Sequence, residues 1–207
     1  MLRHVSLTIY GAPQSRTMRT LWMAAELGLE YTHVPLAFDD PALKSAEFLN
    51  LNPAGTIPTI VDDGVVVAES LAINLYLAKK YGRGEPLLLY PETTEDEAAV
   101  WRWTLWAQGH LEPWVQQDRS LADLRAAIGP GAHRVIATSL GLLDRTLAKQ
   151  RWLVGQRFSV ADMNVAAVLS PSRARHLDLE SLVHIRTWLS SCYNRPAAIA
   201  TRRRFAS

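Results

Sequence analysis

The stretch "NPAGTIPTI", Asn52 to Ile60, decides how the first part of the chain folds. Two prolines and a glycine stand directly before a short β-branched run. Pro58 lies at the start of that run and removes a ladder N–H there. Either the strand is an edge, or something other than a neighbouring strand reads the backbone beside it. Just downstream, "PTIV" and "VVVA" flank Asp62-Asp63-Gly64, a hairpin turn signal.

Working outward, the elements alternate. "VSLTIY" (Val5 to Tyr10) is β-rich and bounded by Gly11 and Pro13, which predicts a strand. "RTMRTLWMAAELGL" places Met18, Leu21, Trp22, Ala25 and Leu29 at spacings of three and four, which predicts a helix ended by Gly28. "YTHVPLA" is a second strand and "PALKSAEFLNLN" a helical or irregular crossing. "SLAINLYLAKKYG" is a helix with Ser70 as N-cap and Lys79, Lys80 and Gly82 at its close. The order is β-α-β-α-β-β-α, with the first two strands parallel and their crossover right-handed.

Glycines and prolines from Gly82 to Pro91 mark a linker. Residues 1–82 are thus one α/β domain, 83–92 a linker and 93–207 an all-α, helical-bundle domain. Its helices are "TEDEAAVWRWTLWAQGHLEPWV" up to about Pro113, Ala132 to about Gln150, "FSVADMNVAAVLS", and "DLESLVHIRTWLSSCY" stopping before Pro196. In "FSVAD", Ser159 and Asp162 form a capping box, with Phe158 and Met163 as its hydrophobic staple.

Of the 207 residues 48% are hydrophobic and 20% charged, the composition of an ordinary globular chain. A net charge of +2 carries no electrostatic footprint for nucleic acid, and Arg202 to Arg204 are a solvated end. The single cysteine, Cys192, excludes an intrachain disulfide framework and is expected as a small buried hydrophobe. No apolar run reaches membrane-spanning length and no signal-peptide core follows the first residues, so a cytoplasmic protein is expected. No Cys/His spacing suits zinc, and no metal is expected.

Three places carry polar groups at element ends. Ser15 stands at the turn into the first helix. It is either a helix cap or a donor to an anion held at the helix start. No histidine lies nearby to make it a nucleophile. Glu69 and Ser70 open another helix, as a plain cap or as a site for an amine and a carboxylate. Tryptophans 101, 103, 106 and 114 crowd one helix and are expected mainly in the core.

Taken with Ile57-Pro58, these places resemble the glutathione S-transferase family. The resemblance rests on "YGAPQSRTMRTLWMAAELGL", "NPAGTIPTI", "DDGVVVAESLAINLYLAKKY" and "LVGQRFSVADMNVA", and spans almost the whole chain. It implies a thioredoxin-like N-terminal domain, a helical domain that contributes the electrophile pocket, and a homodimer. It implies a cis bond at Ile57-Pro58, with Ile57 pairing its backbone to the cysteinyl part of glutathione as an added strand would. Glu69 and Ser70 would hold the γ-glutamyl amine and carboxylate. Thr56, which stands where the family often has lysine, and Pro58 would belong to the glutathione-binding set with Ile57, Glu69 and Ser70, and Lys44 would support it by facing the glycyl carboxylate. Ser15, four residues before Arg19 as in theta-, delta- and zeta-like members, would donate to the sulfur, with Arg16 as support.

The implied activity is a glutathione transferase attacking a small apolar electrophile, with glutathione as co-substrate. The alternatives are a glutathione- or protein-binding module without transferase activity, and a glutathione-dependent reductase or lyase. Ser15 stands where beta-like members have cysteine, and the zeta-like "SSC" is absent.

Overall fold

The computed structural model describes residues 6–115, 131–172, 174, 177 and 179–205. Val5 and Asp178, where the pattern starts the first strand and the last helix, lie outside the described residues. The first unit begins with β1 (Leu7–Tyr10), α1 (Thr17–Glu26) and β2 (Thr32–Val34). A single 3₁₀ turn over Pro41–Lys44 and α2 (Ala46–Leu51) make the crossing. The hairpin β3 (Thr59–Asp62) and β4 (Val65–Ala68) follows, then α3 (Ser70–Tyr81).

The sheet order is β2-β1-β3-β4, with β1 and β2 parallel and the other pairs antiparallel. This is the thioredoxin-like arrangement expected from the sequence. The hairpin turn needs positive φ at both central residues, and Asp63 (49°) and Gly64 (83°) supply it. Leu7 and Ile9 of β1 and Ile60 of β3 point into a core shared with Leu21 and Met23 of α1 and Ile73 and Leu77 of α3, all buried.

A buried carboxylate ties the hairpin to α3. Asp62 is fully buried and accepts from Tyr76 Oη (2.9 Å), Tyr81 Oη (2.7 Å) and Lys80 Nζ (2.8 Å). Burial pushes the Tyr81 phenol up to about 12, and its hydrogen bond to Asp62 adds to the effect. Burial opposes the charge on Lys80, but bonds to Asp62, Tyr81 and Asp63 outweigh it and raise its pKa.

The chain divides into two compact units, one running to Tyr90 and resuming at Arg195, the other Pro91–Asn194. The last stretch therefore differs from the sequence expectation, which assigns it to the helical domain. Pro196 does not only stop the preceding helix; it stands in the first turn of a new one, where its missing N–H costs nothing. That helix (Pro196–Arg204) lies against α1. Arg195 joins the same unit through a bidentate pair with Glu26, whose side chain is buried, Nε–Oε1 2.9 Å and Nη2–Oε2 2.8 Å, and Trp22 Nε1 donates to the same carboxylate.

The second unit is helical. It comprises α4 (Thr94–Trp106), a π-helical turn (Ala107–Leu111), α5 (Glu112–Val115), α6 (Gly131–Leu147), α7 (Val160–Val168) and α8 (Val183–Tyr193). The helix from the first unit's end, Pro196–Arg204, is then α9. Thr93 caps α4 by accepting from Asp96 N (3.2 Å), with three acids in the first turn. The helical path continues past Pro113; the wider π turn stands where the proline ring would break an α-helical ladder. Trp103 is buried and edge-on to Trp106, whereas half of Trp101 is exposed. Cys192 is fully buried. No helix among the described residues is long and apolar enough to cross a membrane.

The capping box of α7 is present, and it reaches further than its own helix. Asp162 accepts from Ser159 N (3.0 Å) and Ser159 Oγ (3.1 Å). It also accepts from Leu153 N (2.9 Å) and from Trp188 Nε1 of α8 (2.9 Å). Burial pushes its carboxyl up to about 6, and the four donors pull against that.

Asp162→Ala leaves these buried donors without an acceptor and should cost more than about 3 kcal/mol of stability, read as a lower Tm. Unchanged melting would contradict this role. The folded carboxyl titrates above its unfolded value, so its linked stability is present below about pH 4 and lost as pH rises through about 6. Asp162→Asn, which does not titrate, should therefore cost less near pH 7 than near pH 4, by up to about 3 kcal/mol. Denaturant titrations at the two pH values check this, and a pH-independent cost would refute it.

Candidate functional site

Sheet register places the three polar element ends side by side. Tyr10 pairs with Thr59, and Thr59 with Ala68, in one row across β1, β3 and β4. The next residues outward are Gly11, Pro58 and Glu69, on strands about 4.8 Å apart. Everything the sequence singles out at these ends therefore gathers at one end of the sheet. The buried Asp62 lies at the other.

The β1–α1 turn is tied down by backbone. Gly11 N donates to Val34 O (2.8 Å) and Ala12 N to Leu36 O (2.6 Å). His33 Nε2 lies 2.9 Å from Gly11 O and donates to it, since the carbonyl only accepts. Gly11 has φ +129°, and a Cβ there would collide with Thr17 and lie 2.9 Å from Ile57 Cβ. Only glycine lets α1 and the proline loop meet over this turn.

Ser15 precedes the helix and is half-buried. Its Oγ accepts from Thr17 N (3.1 Å), donates to Ala12 O (2.7 Å) and lies 2.8 Å from Thr17 Oγ1. The capping function is thus real, although Arg16 is the N-cap residue by backbone and α1 starts at Thr17. Arg16 is exposed. Tyr10 stays within β1, its ring edge-on to Phe48 at 5.8 Å.

The proline loop is organised by Asn52. It is buried, and its Nδ2 faces Thr59 Oγ1 (2.9 Å), Thr56 O (3.1 Å) and Thr56 Oγ1 (3.3 Å). Its Oδ1 accepts from Ala54 N (3.1 Å). In sequence it reads only as part of a turn, Asn52-Pro53-Ala54-Gly55, and its contacts with Thr56 and Thr59 are not announced there. Gly55 has φ +60°, and a Cβ there would lie 2.9 Å from Lys44 Nζ. Lys44 therefore stands over the loop, one residue from the exposed Thr56. The Ile57-Pro58 bond is cis. Among the described residues, neither the N–H nor the C=O of Ile57 is hydrogen-bonded to the chain. The loop beside β3 thus presents an open pair of peptide groups, which answers why Pro58 is tolerated there.

At α3 the cap differs from the expectation. Glu69, not Ser70, is the N-cap residue, with φ 70° and ψ 113°. A non-glycine residue in this region is strained, and such strain collects at ligand sites. Its side chain is exposed and makes no hydrogen bond or ion pair among the described residues. Ser70 is inside the first turn and buried, and its Oγ accepts from Arg19 Nη1 of α1 at 3.3 Å. Arg19 lies 51 residues away in sequence, so no local pattern announces the contact.

The combined features are an open backbone pair, a carboxylate at a helix start, a hydroxyl at another helix start and an ammonium beside the loop. They suit a short extended peptide bearing an amino-acid head and a further carboxylate. Among the described residues no group of three His, Cys, Asp or Glu side chains is placed to hold a metal.

Comparison with known proteins finds relatives over most of the chain. The glutathione S-transferase N-terminal domain matches residues 5–79, and the C-terminal domain of the same family matches residues 132–196. The chain is 32% identical over 204 residues to glutathione S-transferase 3 of Zea mays, covering 92% of this chain and 90% of that protein. Glutathione S-transferase D7 of Drosophila melanogaster is 29% identical over 188 residues, covering 90% and 84%. A glutathione transferase of Phanerochaete chrysosporium, solved in complex with oxidized glutathione, shares the fold with a TM-score of 0.79 at 25% identity, covering 98% of this chain and 97% of that one. The chain belongs to the glutathione S-transferase family.

Proposed function

We propose that this protein is a serine-type glutathione transferase, in which the thiol of glutathione is held as a thiolate for attack on a small apolar electrophile. The observation that carries the reading is the row across the sheet, which sets Gly11, Pro58 and Glu69 side by side, with Ile57 adjoining Pro58 and Ser15 in the turn that leaves Gly11. In it Ile57 offers its open N–H and C=O to the cysteinyl backbone, while Glu69 takes the γ-glutamyl amine and Ser70 and the start of α3 its carboxylate. Lys44, over Gly55 and next to Thr56, takes the glycyl carboxylate. Ser15 gives a hydrogen bond from its hydroxyl to the sulfur, and Arg16 adds positive potential at the same helix start.

The energy is of the right size. An unperturbed thiol with a pKa of about 8.5 is only a few per cent thiolate at neutral pH. Lowering that value by about two units takes about 2.7 kcal/mol. One charge-assisted hydrogen bond supplies about 1.5–3 kcal/mol, and the dipole of α1 adds to it. A serine at this position has no thiol of its own, which favours conjugation over disulfide exchange through a protein cysteine. Family membership also supports a cytoplasmic homodimer with no nucleic-acid or membrane partner.

Calorimetric titration with glutathione should show binding that Glu69→Ala weakens roughly tenfold or more. Equal affinity in the variant would remove Glu69 from the site, and absence of binding to the wild type would leave the partner-protein reading. With a chromogenic electrophile, Ser15→Ala should lower turnover at neutral pH by roughly ten- to a hundredfold. Undiminished turnover would refute the role of Ser15, and a product other than the conjugate would point to reductase or lyase chemistry.

A further inference from the structure

We infer that Thr17 is a positioning residue for Ser15: its hydroxyl and its backbone N–H together occupy the acceptor sites of the Ser15 oxygen and leave that hydroxyl able only to donate. The inference rests on the reading of Ser15 as the group that faces the sulfur.

The hydrogen-bond inventory fixes the direction of each bond. A serine hydroxyl has one proton and two lone pairs. Ser15 Oγ lies 2.7 Å from Ala12 O, which can only accept, so the serine proton is engaged there. The contact of 2.8 Å between Ser15 Oγ and Thr17 Oγ1 must then be donated by Thr17. Thr17 N also donates to the same oxygen at 3.1 Å. Both lone pairs of Ser15 are filled, and both donors come from one residue.

Thr17 is placed to do this and little else. It is fully buried at the first position of α1. Its hydroxyl sits over Gly11, in space that a Cβ at Gly11 would take, and Ile57 borders the same space. The carbonyl of Ala12 also accepts from Ser15 N at 3.0 Å. It therefore stays satisfied when the Ser15 proton is shared. With both lone pairs held by Thr17, that proton keeps its one direction and is shared between Ala12 O and a sulfur held beside the helix start as a three-centre hydrogen bond, with no heavy atom moving. The thiol proton departs to water, and the thiolate meets an oxygen that cannot accept from an S–H. Donation into Ser15 also polarises its own O–H, which strengthens the bond it gives.

The test follows the ultraviolet thiolate band of bound glutathione against pH, with the full chain throughout. Ser15→Ala should raise the apparent pKa of the bound thiol by roughly one unit or more. Thr17→Val keeps the shape and removes the hydroxyl; it should raise that pKa by roughly half a unit. Thr17→Ser should restore the wild-type value, and Thr17→Val added to Ser15→Ala should give no further shift. If Thr17→Val does not fold, Thr17→Ala makes the same comparison. A wild-type thiol pKa in the Thr17 variants, with the value raised in Ser15→Ala, overturns the inference and leaves the reading of Ser15 intact. An additional shift in the double variant also overturns it, because Thr17 would then act independently of Ser15. No shift in Ser15→Ala overturns both.

Discussion

The close approach of Thr17 and Ile57 over the bare α-carbon of Gly11 is the constraint on which the rest of the first unit depends. It brings the start of α1 and the cis-proline loop together at the end of β1, in a space where a methyl group would not fit. The antiparallel register of β1, β3 and β4 then sets Glu69 in the same row. Arg19 closes the arrangement by reaching from α1 to Ser70 at the head of α3. The site is therefore a property of backbone geometry first, with the side chains arriving as passengers on three element ends. This explains how a hydroxyl as weakly acidic as that of Ser15 can be proposed as a catalytic group. Its value lies in where its proton points and in a partner, Thr17, that removes the other options.

Buried carboxylates perform a second task, holding elements to one another. Asp62 fastens the hairpin to α3, Glu26 anchors the chain after Asn194 to α1, and Asp162 joins α7 to α8 and to the loop at Leu153. Asp62 collects its side-chain donors from α3 alone, whereas Glu26 and Asp162 each collect theirs from separate stretches of chain, and the three are not protected alike against being left charged and unpaired. Asp62 and Glu26 have cations, whereas Asp162 has neutral donors only. Burial raises the Asp162 carboxyl for that reason.

Much of this was legible in the sequence where the physics is local. Asp63-Gly64 announces the hairpin because both residues tolerate positive φ, and Ser159 with Asp162 announces a helix start because the capping box closes within four residues. Ser15, Glu69 and the Ile57-Pro58 pair stand out because polar or donor-less residues at element ends demand a reason. What escaped was non-local. Ser70 looks like a cap until Arg19 is seen to hold it inside the helix and Glu69 is seen to take the strained position. Pro196 looks like a stop, and only the pairing of Arg195 with Glu26, 169 residues away, shows that a new helix begins there. Asn52 and His33 are ordinary polar residues in sequence, and their work of holding the proline loop and the carbonyl of Gly11 appears only in three dimensions.

The measurement that tests the central claim most directly is the change in backbone amide chemical shifts as glutathione is added to the protein. The largest changes should fall at Ile57, at Ser70 and the first turn of α3, and at Ser15 to Thr17, all in one saturable process. Shifts confined to other parts of the chain, with the Ile57 amide unmoved at saturation, would contradict it.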